Sequence, residues 1–550
     1  MTIPSTIQDV IMARVDKLPE GAKEVVQTGS VIEREFSYEL IKQVSGLSEK
    51  ELFSRLSFLK DSEILFERGI YPESTYIFRH ALIREVIYYS ILTRRKKRLH
   101  EDIGNAIEEL YKESITEHYG ILAEHFISSE NFGKGANYCK LAGRQAEKAG
   151  SLNDAIAHSH KQVFCLEKLP QTEGVEKSLI DTRTKLGLYH MQLADFHRAK
   201  AMVDPIVDLA IQRNYKRKIS PIYCIIGQYE YVTGNIPDSL EYFEKALKMG
   251  EELNDLPTLV MVNLAMGIYL SSICEYSKAN HHLQKALEIN VAANVPWGIA
   301  AMKSWIAWVY HFQGKIDHAC EVSNEAWQIA DKSADVFSKA HAYTAQGWSY
   351  YGKGYLEKAG KYFLQGANFS EQANQVFWTG LGHFGLGHSY FDMESYKESQ
   401  KHFEKAISYF RNASLYPSIV NYSKIALALA KVLNNEKDIN LNEIFKYYED
   451  INTKWCEGWM LNCIGEILLN IDDRHISNAE NYIKRAITAN KRNGMMWHLA
   501  RDYALYAEFY KRKDEPSRAK ETLNTAIEIF KECGADGWVE RYKKELASIS

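Results

Sequence analysis

The sequence is poor in the features that mark most membrane and enzyme classes. It has no stretch of about 18 uncharged apolar residues, which a membrane-crossing helix needs. Its beginning, MTIPSTIQDVIMARVDKLP, carries neither the basic segment nor the continuous apolar core of a secretory signal. The expected compartment is the cytoplasm. Cysteine is sparse, eight in 550 residues (139, 165, 224, 274, 320, 456, 463 and 533), with no CxxC pair. Most fall inside helical patterns and read as reduced packing residues. No GxxxxGKS or GxxxxGKT loop occurs, so triphosphate binding has no candidate lysine or amide cradle. The formal charge of −4 gives no basic excess to favour nucleic acid. These absences point to a non-catalytic chain with no cofactor and no metal.

What is present is a repeat. Gly187, Gly227, Gly267, Ala307, Gly347 and Gly387 follow one another at intervals of 40 residues, each inside an apolar helical pattern. Twelve residues after each stands a small residue: Ala199, Ser239, Ala279, Ala319, Ala359 and Ser399. In most units another follows seven later (Ala246, Ala286, Ala326, Ala406). Gly465 with Ala479 and Ala486, and Ala507 with Ala519 and Ala526, continue the series less regularly. Near 425 the glycine is lost and NNEKDINLNE interrupts the pattern, which marks the weakest seam at 411–450. Antiparallel helices approach closely only where one presents Gly or Ala to a ridge of the other, so the first small residue is expected at a helix crossing.

The pairs Gly347 with Tyr350 and Gly387 with Tyr390, followed by Ala359 with Phe363, resemble the tetratricopeptide repeat over about 140–550. The period of 40 exceeds the family's ~34 and implies longer helices. An all-α, right-handed solenoid follows from that resemblance.

Residues 1–112 lie outside the period. Ser5 with Gln8 reads as a capping box for a helix with Ile7, Val10, Ile11, Val15 and Leu18 on one face. Helical patterns follow at about 20–31, 37–44 and 48–60. Two β-like runs, EILFE and TYIF, flank the turn signal RGIYPES. Three helices and a hairpin predict a winged helix, and from His80 the spacing turns helical again (Leu82, Ile83, Val86, Ile87, Ile91).

The N-terminal segment as a whole resembles the region that joins the ATPase core to tetratricopeptide repeats in bacterial signal-transduction ATPases. Many of those are fused to class III adenylate or guanylate cyclases or to protein kinases. Phe78 through Glu85 (FRHALIRE) and Arg98 through His100 carry the likeness. It implies a linker helix at 1–18 after an absent ATPase core, a winged-helix-like domain at 19–92, linking helices at 93–134 and the repeat array at 135–550. The family's P-loop core lies upstream of these motifs, so the expectation is either a fragment of a longer ATPase or cyclase or an arm acting with such a domain in cis or in trans.

Several residues suggest chemistry at first sight. His80 and His100 lie near no nucleophile or carboxylate pair, and His281 and His282, adjacent on a helix, point apart. The run Arg94–Arg98 reads as a solvated helix face. The helix 48–60 mixes Glu49, Glu51 and Asp61 with Lys50, Arg55 and Lys60, which weighs against the alternative of a winged-helix DNA-binding regulator.

All ten tryptophans lie between 297 and 538. Trp297, Trp378, Trp455, Trp497 and Trp538, with Phe337, recur near the start of the first helix of each repeat and are expected to seal one repeat onto the next. By resemblance, Trp308 and His311, Trp348 and Tyr351, and His388 and Phe391 face the concave groove. The expected function is a sensor or interaction arm that binds a protein or peptide partner on that stripe, the alternative being rings packed on one another.

Overall fold

The computed structural model describes residues 5–333 and 335–549 and divides into two compact units, 1–186 and 187–550. The side chains of Ser5 and Ile7 are not among those described, so the cap expected at Ser5 falls outside them.

The first unit opens with α1 (Ser5–Asp16) and α2 (Glu20–Ile32), then β1 (Glu35–Ser37), α3 (Tyr38–Ser45), α4 (Glu49–Asp61), β2 (Leu65–Arg68), β3 (Thr75–Phe78), α5 (Ala81–Ser90) and α6 (Thr93–Leu110). The strands form one antiparallel sheet in the order β1-β3-β2. Strand β1 is too short to register as an alternating pattern in the sequence, yet it pairs Phe36 with Tyr76. The capping box of Ser48 and Glu51 starts α4, which buries Leu52, Leu56 and Leu59 against the sheet residues Tyr76 and Phe78. Val10, expected on the apolar face of α1, is 64% exposed, whereas Ile11 and Val15 of the same helix pack against the core. Further helices follow at Tyr119–Ser128, Phe132–Lys148 and Leu152–Lys168.

The second unit is an all-α repeat solenoid of the tetratricopeptide type. Its regular part alternates 17-residue helices with three-residue turns: Leu256–Ser272, Tyr276–Ala292, Pro296–Phe312. Two such helices and two turns give the 40-residue interval. Turn residues at 20-residue intervals are left-handed, at Asn254, Cys274, Asn294 and Gly314, and again at Gly354, Asn374, Glu394 and Ser414. This conformation lets the chain reverse while backbone N–H groups satisfy the last carbonyls, as Glu275 N does with Leu270 O at 2.9 Å.

The crossing glycines do what their spacing predicts. A Cβ on Gly347 would stand 2.5 Å from the Phe363 ring, on Gly387 2.7 Å from Phe403, and on Gly267 2.5 Å from Leu283. Each glycine therefore lets a large side chain of the partner helix lie against its backbone. At the expected seam the second helix shrinks to Leu441–Glu449, after a non-helical stretch at 435–440.

Candidate functional site

Helices from repeats far apart in the chain meet: Pro296–Phe312 packs against Met496–Arg512, and Val336–Lys353 against Asp536–Ser548. Trp497 Nε1 donates to Gly352 O and Trp538 Nε1 to Tyr351 O, both at 2.9 Å. Ile316 N donates to Cys533 O at 3.0 Å, Tyr416 N to Val232 O at 2.7 Å and Lys454 N to Ser272 O at 2.9 Å. Gly354 and Gly537 allow two backbones to touch: a Cβ on Gly354 would stand 2.6 Å from Trp538 N, and one on Gly537 2.8 Å from Lys353 O.

The six expected groove residues lie within this junction. Trp348 sits at its centre, with ring centroids at 5.7 Å from Trp308, 5.6 Å from His311, 5.6 Å from Tyr351 and 6.3 Å from His388. His311, Trp348, Tyr351 and His388 are buried, and Trp308 and Phe391 are half-buried. Five of the six rings therefore pack on one another and on rings from later repeats instead of lining an open trough, while Phe391 meets Tyr396 of its own repeat at 5.7 Å. Those later rings, Trp459, Trp497 and His498, lie too far along the chain for the repeat period to predict the pairing. Trp459 stacks on His388 at 4.9 Å and meets His498 at 4.5 Å.

The tryptophans expected to seal neighbours divide. Trp378, Trp455, Trp497 and Trp538 are buried, Phe337 is half-buried, and Trp297 is 57% exposed, so it seals nothing. Trp297 and Trp497 occupy the same phase of the repeat. Trp497 is covered because another turn lies beside it, whereas nothing comparable covers Trp297.

Polar groups among the rings are of two kinds. Some are satisfied: Tyr351 donates its hydroxyl hydrogen to Asp392 Oδ2 at 2.6 Å, Arg501 Nη2 meets Asp392 Oδ1 at 2.8 Å, and the Arg501 guanidinium lies 4.6 Å from the Trp538 ring. Asn462 and Asn490 donate to the two oxygens of Asp502 at 2.8 and 2.7 Å. Others have no partner: both ring nitrogens of His311, both of His498, and Trp348 Nε1. Burial lowers His311 and His388 to a pKa of about 3 and His498 well below its usual value, so all three are neutral near pH 7. Burial raises the Glu466 carboxyl to about 7, against the opposing pull of Arg501.

The remaining sequence candidates lie elsewhere. His80 caps α5 without a side-chain bond. His100 is buried, with Nδ1 at 2.9 Å from Nδ1 of His125 and Nε2 at 3.1 Å from the Tyr88 hydroxyl. In the basic run, Arg95 lies 3.8 Å from Glu24, Lys97 2.6 Å from Glu130 and Arg98 3.8 Å from Asp102. His282 bonds Asn263 at 2.8 Å while His281 is exposed. Among the described residues, no group of three or more His, Cys, Asp or Glu is placed to hold a metal, and no helix is long and apolar enough to cross a membrane.

The sequence profile of the tetratricopeptide repeat matches residues 382–412. No curated protein matches the chain at the sequence level. Among solved structures, the chain is similar to a Signal Transduction ATPase with Numerous Domains protein with a tetratricopeptide repeat sensor from Pyrococcus horikoshii, at 16% identity and a TM-score of 0.45. That match covers 82% of this chain and 65% of the other, so the chain spans just under two thirds of it. The Rap conjugation gene regulator of plasmid pLS20, in complex with the Phr peptide, is 16% identical with a TM-score of 0.44, covering 66% of this chain and 96% of that one. The APC/C hetero-tetramer Cut9-Hcn1 gives 16% identity and a TM-score of 0.44, covering 84% of this chain and 91% of that one.

Proposed function

We propose that the chain is the non-catalytic sensor or interaction arm of a signalling protein, and that its recognition surface is the inner face of the solenoid, at Trp308, His311, Trp348, Tyr351, His388 and Phe391. The carrying observation is the set of unpartnered polar atoms there. His311, His498 and the Trp348 indole hold hydrogen-bonding groups that packing alone would replace with apolar side chains. A partner protein or peptide entering between the turns would satisfy them and stack on the same rings. In this reading the first unit, with its three-stranded sheet between helices, is a winged-helix connector at 19–92. It follows a linker at 1–18 and leads through 93–134 into the array at 135–550, as in the C-terminal part of signal-transduction ATPases.

The test uses peptides selected from a random library on the purified chain. Trp308→Ala and Phe391→Ala alter the half-buried members of the stripe and leave the four buried ones in place. Each is expected to weaken selected peptides at least tenfold, with a comparable Trp297→Ala control unchanged. Peptides that bind both variants as well as the parent chain would move the recognition surface elsewhere.

A further inference from the structure

Between the inner helices lies a cavity of about 20 Å³, lined among others by Tyr351, Phe391, Trp459, Glu466, His498 and Arg501. A space of this size holds a single water-sized group. Its walls combine aromatic rings with the carboxyls of Glu466 and Asp502 and the guanidinium of Arg501. Arg501 is already engaged by Asp392, and Asp502, also in the wall, is met by two neutral amides, while burial raises its carboxyl well above the usual range against the pull of Arg501. Glu466 takes no side-chain hydrogen bond and no ion pair from any described residue. The two nearby guanidiniums are engaged elsewhere, Arg501 by the Asp392 carboxylate and Arg541 by the Asp392 backbone carbonyl and Glu394. A carboxyl in such a place accepts hydrogen bonds best from a cation brought in from outside.

A second observation points the same way. His498 is 1% exposed, lines the cavity, and has a partner on neither ring nitrogen. A neutral imidazole offers one acceptor and one donor, so an N–H-bearing guest would find a second acceptor in the same wall as the carboxyl. The rings of Trp459, Tyr351 and Phe391 line the same cavity, and aromatic rings attract cations.

We propose that this cavity is a receptor for one primary ammonium group, held by Glu466 and His498 and enclosed by Trp459, Tyr351 and Phe391. The group could belong to a free small amine or to a lysine side chain of a peptide, and either would present the same three N–H donors. The inference rests on the inner face being the recognition surface, and it adds the chemistry that this surface reads.

Titration of the full chain with methylammonium chloride, followed by tryptophan fluorescence at constant ionic strength, tests it directly. Tetramethylammonium chloride is the matched cation that lacks N–H donors and is too large. N-acetyl-lysine amide and N-acetyl-norleucine amide form the peptide arm. Saturable change with methylammonium identifies a free amine as sufficient. Saturation with the lysine amide alone assigns the site to a peptide side chain. In both cases Glu466→Gln is expected to weaken binding at least tenfold. No saturation with either ammonium compound, or equal responses to tetramethylammonium, overturns the proposal without recourse to a variant. Selected peptides that bind the chain while neither ammonium compound does would remove the ammonium site and leave the interaction surface standing. Methylammonium binding without any peptide binding would do the reverse.

Discussion

Gly347 and Trp348 are neighbours in the chain and belong to different packing regimes. Gly347 receives the Phe363 ring from the next helix, as Gly387 receives Phe403 one repeat later. Trp348 shares that ring, at 5.2 Å, but also meets Trp308 at 5.7 Å and Trp459 at 6.1 Å, the last from a helix several repeats away. The first regime is local and repeats with the chain. The second joins distant turns, is built from aromatic and histidine side chains, and leaves polar atoms without partners. A repeat protein needs only the first for its helices to stack. The second adds cooperativity between turns, at the cost of buried polar groups whose desolvation is uncompensated.

The sharpest way to separate the two regimes is to remove the ring at the centre of the inner face. Trp348→Ala is expected to cost about 3–5 kcal/mol, the range for deleting a large buried aromatic, read as a shift of the urea midpoint. A loss below about 1 kcal/mol would mean that the inner face is open in solution, since exposed positions change stability little.

A smaller effect is expected in the local regime. Gly347→Val would drive branched atoms into the Phe363 ring and cost about 1–3 kcal/mol through overpacking. Ala307→Gly, at the equivalent position where a methyl group is already accommodated, would cost about 1 kcal/mol. If the valine variant unfolds no earlier than the glycine variant, the crossing is looser than the distances indicate.

The last effect is electrostatic and would strengthen as histidines are counted together. His311 and His388 stay neutral in the folded chain down to about pH 3, from the ordinary value of 6.5. The unfolded chain therefore binds more protons between those limits, and stability is expected to fall as pH drops below about 6.5 and to be level above it on their account. Glu466, raised to about 7, acts in the opposite sense, because its folded form holds a proton that the unfolded chain releases above about 4.5. Glu466→Gln should steepen the acid-side loss measured by midpoint against pH, since the term that opposes the histidines disappears. A variant profile that superimposes on the parent's would place Glu466 in a solvated position.

The unequal legibility of the two regimes shows in particular residues. Gly267 with Ala279 and Gly387 with Ser399 announce their crossings because a close helix contact excludes larger side chains, and the exclusion recurs with the helices. The left-handed turn residues at 20-residue intervals are less legible. Asn, Gly, Ser, Cys and Glu all fill them, so no single residue type marks the position. Trp297 and Trp497 look alike in the sequence and end 57% and 1% exposed, because only one has another turn beside it.

The sequence alone determined the repeat, its period, the helix pairing and, in the first 112 residues, the short helices and the β2–β3 hairpin, since each rests on contacts between segments close in the chain. The tertiary structure decided that β1 joins the sheet, that the ring stripe is packed, and that Glu466 and His498 share a cavity with Arg501. Those outcomes depend on how far the solenoid winds before its turns meet. That angle is the accumulated sum of many small rotations between neighbours, and no local pattern records it.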